Sequence, residues 1–288
     1  MTNIEYNSQR FPLTVVIPTL GNDSLLETIQ QINSGLVVPD EILICIPNDV
    51  AYKVLSYDFD NIRVVATSGK GQVQQRSEGF KSAKHKYVLQ MDDDILLSAS
   101  AIKIMIKLLG QLGVGNVIGP AFYDPNTSVA LHKYDFGLMG FFKSLNASLF
   151  SAAPWGVKRM GKVTRLGIAY GIDPGLSGGD IHQVDWLPGG CVLSFKEDLI
   201  DENFFPLSGK AFSEDVIHSI LRTSNKIKHH VAICAKVNTV VDDESFSFSL
   251  FITELKARLY VVELLGGNKF RLFIWSLSQL LTRKLKKK

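Results

Sequence analysis

Cysteine is scarce: Cys45, Cys191 and Cys234 are the only three in 288 residues. They are odd in number, far apart and set in apolar runs. That excludes a disulfide framework and a cysteine-based zinc site, and suits free thiols in a reducing cytoplasm. Long hydrophobic runs are missing as well. No stretch reaches the roughly 18 apolar residues of a membrane span; the nearest, 270–281, is shorter and contains Arg271. Residues 1–12 are polar and lack the apolar region of a signal peptide. The net charge is only +3, yet the last six residues, 283–288, carry five cations and no carboxylate. Without them the remainder is slightly acidic, so the body is not a basic nucleic-acid binder and nucleic acid is not an expected partner. Internal repeats are absent, and the lysine-rich end is the one low-complexity segment.

What is present is an ordinary globular composition, 46% hydrophobic and 20% charged, sufficient for a full core. The first hundred residues alternate strand and helix. Residues 13–17 (LTVVI), 41–46 (EILICI), 62–66 and 87–91 (YVLQM) read as strands, the first two stopped by Pro18 and Pro47. Residues 24–34, 72–84 and 98–109 read as helices. Short apolar strands alternating with helices predict a mainly parallel sheet covered on both faces, an α/β class. In such sheets ligands bind at the carboxyl ends of the strands, which directs attention to the residues just past each strand. The middle, 119–185, is rich in Gly, Ser and Pro and carries the aromatic cluster Phe136, Phe141, Phe142, Phe150 and Trp155; it reads as long loops with one or two short helices. Beyond it, 191–195 and 230–241 read as strands and 215–223 as a helix. From 249 the chain reads as helical to its end.

Four features carry chemistry. Asp92, Asp93 and Asp94 come directly after the strand YVLQM. Adjacent carboxylates repel one another, and hard divalent cations such as Mg²⁺ or Mn²⁺ take such oxygen ligands together with substrate phosphates. A helix N-cap explains one Asp there but not three. Ser213, Glu214 and Asp215 open an apolar helical run; a Ser cap with acids in the first turn is the structural alternative to a catalytic role. The preceding Pro188-Gly189-Gly190 allows close backbone approach to a ligand. Ser68-Gly69-Lys70-Gly71 stands before a helix carrying Arg76, a phosphate-binding arrangement in outline but not a Walker loop or dinucleotide fingerprint. Finally, an apolar, Trp-bearing segment from Phe270 ends in the basic cluster 283–288, which reads as a membrane-surface anchor.

Together these features resemble the inverting glycosyltransferases of family two, with the GT-A fold. The segments VVIPT, GQVQQRSEG, DDD, PGG and SED occur in that family's order and approximate spacing over about residues 12–245. The resemblance implies a GT-A-type central sheet flanked by helices, with a nucleotide-sugar half (about 12–118), an acceptor half (119–248) and an amphipathic, basic, membrane-associating helical tail (249–288). It implies Asp92 and Asp94 as ligands of Mn²⁺ or Mg²⁺. It puts Pro18, Thr19, Asp49, Gly71, Arg76, Asp92 and Asp93 on the donor side, and Gly189 and Gly190 on the acceptor side. It also implies Asp215 as catalytic base with Glu214 beside it. The partners implied are a nucleotide-sugar donor, a lipid-linked or surface glycan acceptor and an anionic membrane, with the protein peripheral on the inner face of the plasma membrane. Two departures stand out: the second strand ends Ile46-Pro47-Asn48-Asp49 where the family has paired aspartates, and the region of a late metal-binding His reads Val237-Asn238-Thr239-Val240.

The rival readings are less well matched. A sugar nucleotidyltransferase needs a Gly-rich, cation-bearing loop after the first strand, and here that place reads Pro18-Thr19-Leu20-Gly21-Asn22. A dehalogenase-type phosphatase has its aspartates on the first strand, not the fourth. A non-enzymatic scaffold of the same fold does not require intact acidic motifs.

Overall fold

The computed structural model describes residues 9–207, 210–239 and 247–286, with side chains as far as residue 279. The side chains of the basic cluster 283–288, and residues 240–241 of the last expected strand, lie outside the described residues.

The expected alternation is present. β1 (Gln9–Pro18), β2 (Val37–Pro47), β3 (Ile62–Thr67) and β4 (Tyr87–Met91) form a parallel array in the order β3-β2-β1-β4. The central strands are rich in β-branched residues buried on both faces, as a sheet covered by helices demands. Pro18 and Pro47 are the last residues of β1 and β2. α1 (Ser24–Asn33) buries Leu25, Ile29 and Ile32. α2 (Gln72–Ser82) lies unusually close to the sheet: a Cβ on Gly79 would stand 2.5 Å from both Cys45 Sγ and Val16 Cγ1. Only glycine permits that approach, and it brings the buried polar residues Gln75 and Arg76 against the ends of the strands.

Across β4 the sheet changes sense. β8 (Cys191–Phe195) runs antiparallel to β4 and to β6 (Asn116–Tyr123). β9 (Lys228–Asn238) runs parallel to β6 and antiparallel to β7 (Ile181–Val184) and to the two-residue β5 (Leu96–Leu97). All nine strands belong to one sheet.

Three local expectations shift. The third helix, α3, spans Ala101–Leu112 rather than starting at residue 98, because Leu96 and Leu97 pair with β9 and Ser98 N–H donates to Lys236 O at 3.1 Å. The middle holds a full helix, α4 (Gly137–Ser151), in place of the short helices expected there. Its aromatic residues point outward, Phe141 and Phe142 being about half exposed, so no apolar stripe announces a buried face. The C-terminal helical region is broken into α6 (Phe248–Leu264) and α7 (Lys269–Lys286) at Gly266, whose φ is +60°. α6 packs on the body, with Ala257, Val261 and Val262 fully buried. α5 (Glu214–Ser224) joins it through Val216 and Ile217.

Candidate active site

Strand register gathers the acidic motifs at one sheet edge. β1 and β4 are parallel neighbours, so Thr19 and Asp92–Asp94 leave the sheet side by side. β8 is antiparallel to β4 with Met91 opposite Cys191, so Pro188-Gly189-Gly190 enters where Asp92 exits. Asp92 N–H donates to Gly190 O at 2.9 Å and Gln90 Nε2 donates to Gly189 O, which clamp the two turns together.

Arg76 links the two acidic motifs. Its side chain is 3% exposed; Nη2 donates to Asp92 Oδ1 at 2.5 Å and Nη1 to Glu214 Oε1 at 2.6 Å. The two carboxylates more than offset burial and raise the guanidinium pKa, so Arg76 is permanently charged. Gln72 Nε2 also donates to Asp92 Oδ1, at 2.7 Å. A Cβ on Gly189 would lie 2.6 Å from Glu214 Oε1, and one on Gly190 would lie 3.2 Å from Asp92 Oδ2. The paired glycines therefore serve close packing of a turn on this carboxylate–guanidinium cluster.

Glu214 and Asp215 open α5. Ser213 does not act as a side-chain cap: it adopts the left-handed conformation, φ +58°, uncommon for a residue with a side chain. This corrects the Ser-cap alternative. Asp215 Oδ1 instead accepts from Val216 N–H at 2.8 Å. Burial of the Asp215 carboxyl, reinforced by the Glu214 charge, pushes its pKa up to about 7. Glu214 is buried, and its Oε2 has no hydrogen-bond partner among the described residues.

The remaining candidates lie around this centre. Thr19 Oγ1 donates to Asp93 Oδ2 at 2.5 Å, and Asn22 Nδ2 donates to the same oxygen at 3.1 Å. Asp93 thus ties the β1 exit to the β4 exit, and burial raises its pKa. Asp94 is exposed. Asp49, in the 3-10 turn after β2, pairs with Lys70 at 2.9 Å across the surface, bridging the exits of β2 and β3. Gly71, with φ +141°, precedes α2. Three glutamines, Gln72, Gln75 and Gln90, join the site without having stood out as candidates in the sequence. Gln75 Nε2 donates to both Thr19 O and Cys45 O at 2.7 Å, locking the ends of β1 and β2. In the segment GQVQQRSEG, Gln72 lies one turn before Arg76 and Gln75 adjoins it, the spacing that marks a polar helix face turned inward.

Among the described residues, no three His, Cys, Asp or Glu side chains converge as a preformed metal site. The donor set nevertheless fits a hard divalent cation. Both hydrogen bonds to the Asp92 carboxylate fall on Oδ1, leaving Oδ2 as a ligand oxygen, and Asp94 is solvent-facing two residues on. Sites of one or two carboxylates completed by substrate phosphates are the usual arrangement for Mg²⁺.

Known proteins share this architecture. A crystal structure of GalNAc-T7 with UDP, GalNAc and Mn²⁺ superposes with a TM-score of 0.61 at 14% identity, covering 87% of this chain and 47% of that one. The chain thus spans about half the length of that neighbour, and the likeness is one of GT-A fold. No curated protein matches the chain. The family model for Glycosyl transferase family 2 matches residues 14–158. That match begins in β1, runs through all four parallel strands and the aspartate turn, and ends beyond α4, taking in half of the chain, which therefore belongs to glycosyl transferase family 2.

Proposed function

We propose that the protein transfers a hexosyl group from a UDP-sugar to a hydroxyl of a lipid-linked or surface polysaccharide acceptor, with inversion at the anomeric carbon. The observation that carries this reading is Asp215: a carboxylate whose pKa burial pushes up to about 7, beside Glu214, which packs on the Gly189 turn and is linked to the Asp92 exit through Arg76. A general base works best when its pKa lies near the operating pH. Asp215 accepts the proton of the acceptor hydroxyl as that oxygen attacks the anomeric carbon and the bond to the nucleoside diphosphate breaks. Glu214, bonded to Arg76 through Oε1, keeps a fixed negative charge beside Asp215. Arg76 holds Asp92 and Glu214 at fixed separation while the donor binds.

Asp92 and Asp94 would hold Mn²⁺ or Mg²⁺, which when bound offsets charge on the departing diphosphate. Support for a divalent ion and for UDP comes from the donor set and from the ligands of the GalNAc-T7 structure. On this reading the parallel strands form the donor half, about 12–118, and the mixed strands the acceptor half, 119–248.

The test is a donor screen that monitors nucleotide release, with UDP-hexoses first and dTDP- and GDP-sugars after them, run on wild type and Asp215→Asn. Release that depends on a sugar acceptor and on Asp215 supports the proposal. Release by no nucleotide-sugar, or equal release by the variant, overturns it.

A further inference from the structure

Nine of the exposed large apolar side chains among the described residues lie on two packed helices, α4 and α7. On α4, Leu138, Phe142 and Leu149 recur at helical spacing and are 73%, 56% and 60% exposed, with Met139 and Phe141 beside them. On α7, Phe270, Phe273, Ile274 and Leu277 follow an i, i+3, i+4, i+7 stripe, all exposed, while Leu272 is fully buried. Trp155 and Val157, just after α4, are each 47% exposed. α4 and α7 pack on one another. Arg271, in the first turn of α7, fixes the junction: Nε donates to Phe150 O at 3.1 Å and Nη2 to Leu149 O at 2.6 Å, satisfying terminal carbonyls of α4. Leu149 is thereby brought beside the start of the α7 stripe.

Charge says what such a face suits. Neither 136–172 nor 265–288 contains an Asp or Glu, yet together they hold twelve of the chain's 31 Lys and Arg. All 28 carboxylates lie elsewhere. Among the described side chains of these stretches, Arg159 is turned inward, bonded to Ser144 Oγ and lying against the rings of Tyr134 and Tyr170. Lys143, Lys162 and Lys269 pair with Asp135, Asp185 and Glu263, so the positive excess beside these apolar stripes comes from the other cations, and it matches a surface that is apolar below and anionic above. An apolar patch of this extent marks an interaction site rather than ordinary surface. No described helix is long and apolar enough to cross a membrane.

We propose that α4 and α7 form one docking platform that seats the protein on an anionic lipid surface, with the α4 stripe entering the bilayer interface beside that of α7. The basic C-terminal residues then act together with α4 rather than as an independent anchor. The platform stands apart from the transfer chemistry, and its test does not use activity.

The experiment is co-sedimentation of the full chain with phosphatidylcholine vesicles, with and without phosphatidylglycerol, in low and high salt. Three variants accompany wild type: Leu138→Glu/Phe142→Glu on α4, Phe273→Glu on α7, and Leu55→Glu as a control at a distant residue that is 73% exposed. Wild type and Leu55→Glu are expected to bind the anionic vesicles, less tightly in high salt. Both platform variants are expected to bind at least about tenfold more weakly with unchanged melting temperature, because the altered side chains are exposed. Absence of binding by wild type overturns the proposal, as does equal binding to neutral vesicles. So does wild-type binding by the α4 variant, which would leave only the tail as anchor. A wild-type dimer in solution that the same substitutions dissociate also overturns it, since the face is then covered by a second copy.

Discussion

Arg76 Nη1 stands 2.6 Å from Glu214 Oε1 while Nη2 of the same guanidinium stands 2.5 Å from Asp92 Oδ1, so a residue of α2 joins two acidic motifs 122 positions apart. The group is almost wholly buried. Removing one partner from a buried ion cluster leaves an uncompensated charge and costs about 3–5 kcal/mol. Arg76→Met should therefore lower the melting temperature by roughly 10 °C, at about 2–4 °C per kcal/mol for a chain of this size. Arg76→Lys, which cannot form the same fork, should recover only part of it. Thermal denaturation checks both, and a loss under about 1 kcal/mol would show that the cluster contributes little.

The same cation lowers the Asp215 pKa, against the larger upward push of burial and Glu214. If Asp215 is the base, kcat/KM should fall below pH about 7 in wild type. The acid limb should move to higher pH in any Arg76 variant that still folds. A pH–rate profile with the same midpoint in both would separate Asp215 from the observed limb.

Stability should respond to Asp215 in the opposite sense to an ordinary ion-paired carboxylate. Its folded pKa, about 7, lies above its unfolded value, about 4. The folded state therefore binds the extra proton, and the contribution to stability is present below about pH 4 and lost as pH rises through 7. Asp215→Asn removes that loss. Its melting temperature should exceed wild type at pH 8, by an amount on the order of a few kcal/mol in stability, and the gap should narrow below pH 7 and close toward pH about 4. Turnover should fall by roughly two to four orders of magnitude while UDP binding persists. Gain of stability together with loss of turnover distinguishes a base from a residue that only complements the helix dipole, whose loss costs stability.

The fold is legible in the first hundred residues because each strand is a short β-branched run and each helix carries an apolar period. α4 is not, since Gly137, Gly140 and outward aromatics give it no buried stripe, and its buried positions Gly140, Ser144, Ala147 and Ser151 are small or polar. The acidic motifs are legible as clusters of like charge that need a partner. Their actual partner at Arg76 is not, because the pairing joins residues far apart in the chain and depends on Gly79 letting α2 approach β1. Ser213 misleads for a related reason. A Ser before two acids has the composition of a cap, but backbone conformation decides whether the hydroxyl can reach the helix amides.

Metal dependence divides the roles of Asp92 and Asp94. Asp92 is already held by Arg76 and Gln72, so Asp92→Asn should disturb both the fold and donor binding. Asp94 is exposed, and Asp94→Asn should act chiefly on donor binding. Calorimetry of UDP binding with Mn²⁺, with Mg²⁺ and with EDTA reads the rest. Wild type should lose most of its affinity in EDTA, and Asp94→Asn should bind weakly whether or not the ion is supplied. Equal affinity of wild type with and without EDTA would remove the ion from donor binding.

Gly189 offers the sharpest test of packing at the site. A Cβ there would meet Glu214 Oε1 at 2.6 Å and Arg76 Nη1 at 3.4 Å, with the first contact too short to stand. Its φ is not in the left-handed region, so Gly189→Ala carries no backbone penalty, and the collision is the whole effect. Glu214 can yield only by giving up its bond to Arg76, because its side chain is buried. The expected cost is about 1–3 kcal/mol, the usual range for overpacking. Turnover should fall more than stability implies, since displacing Glu214 also changes the field at Asp215. The double variant Gly189→Ala/Glu214→Ala isolates the contact. If the collision is with Glu214, the alanine at 189 should cost much less in that background than in wild type, and the coupling should exceed about 0.5 kcal/mol. Additive effects would mean that the turn moves as a unit away from the cluster, and the glycine pair would then have to be explained by what binds there.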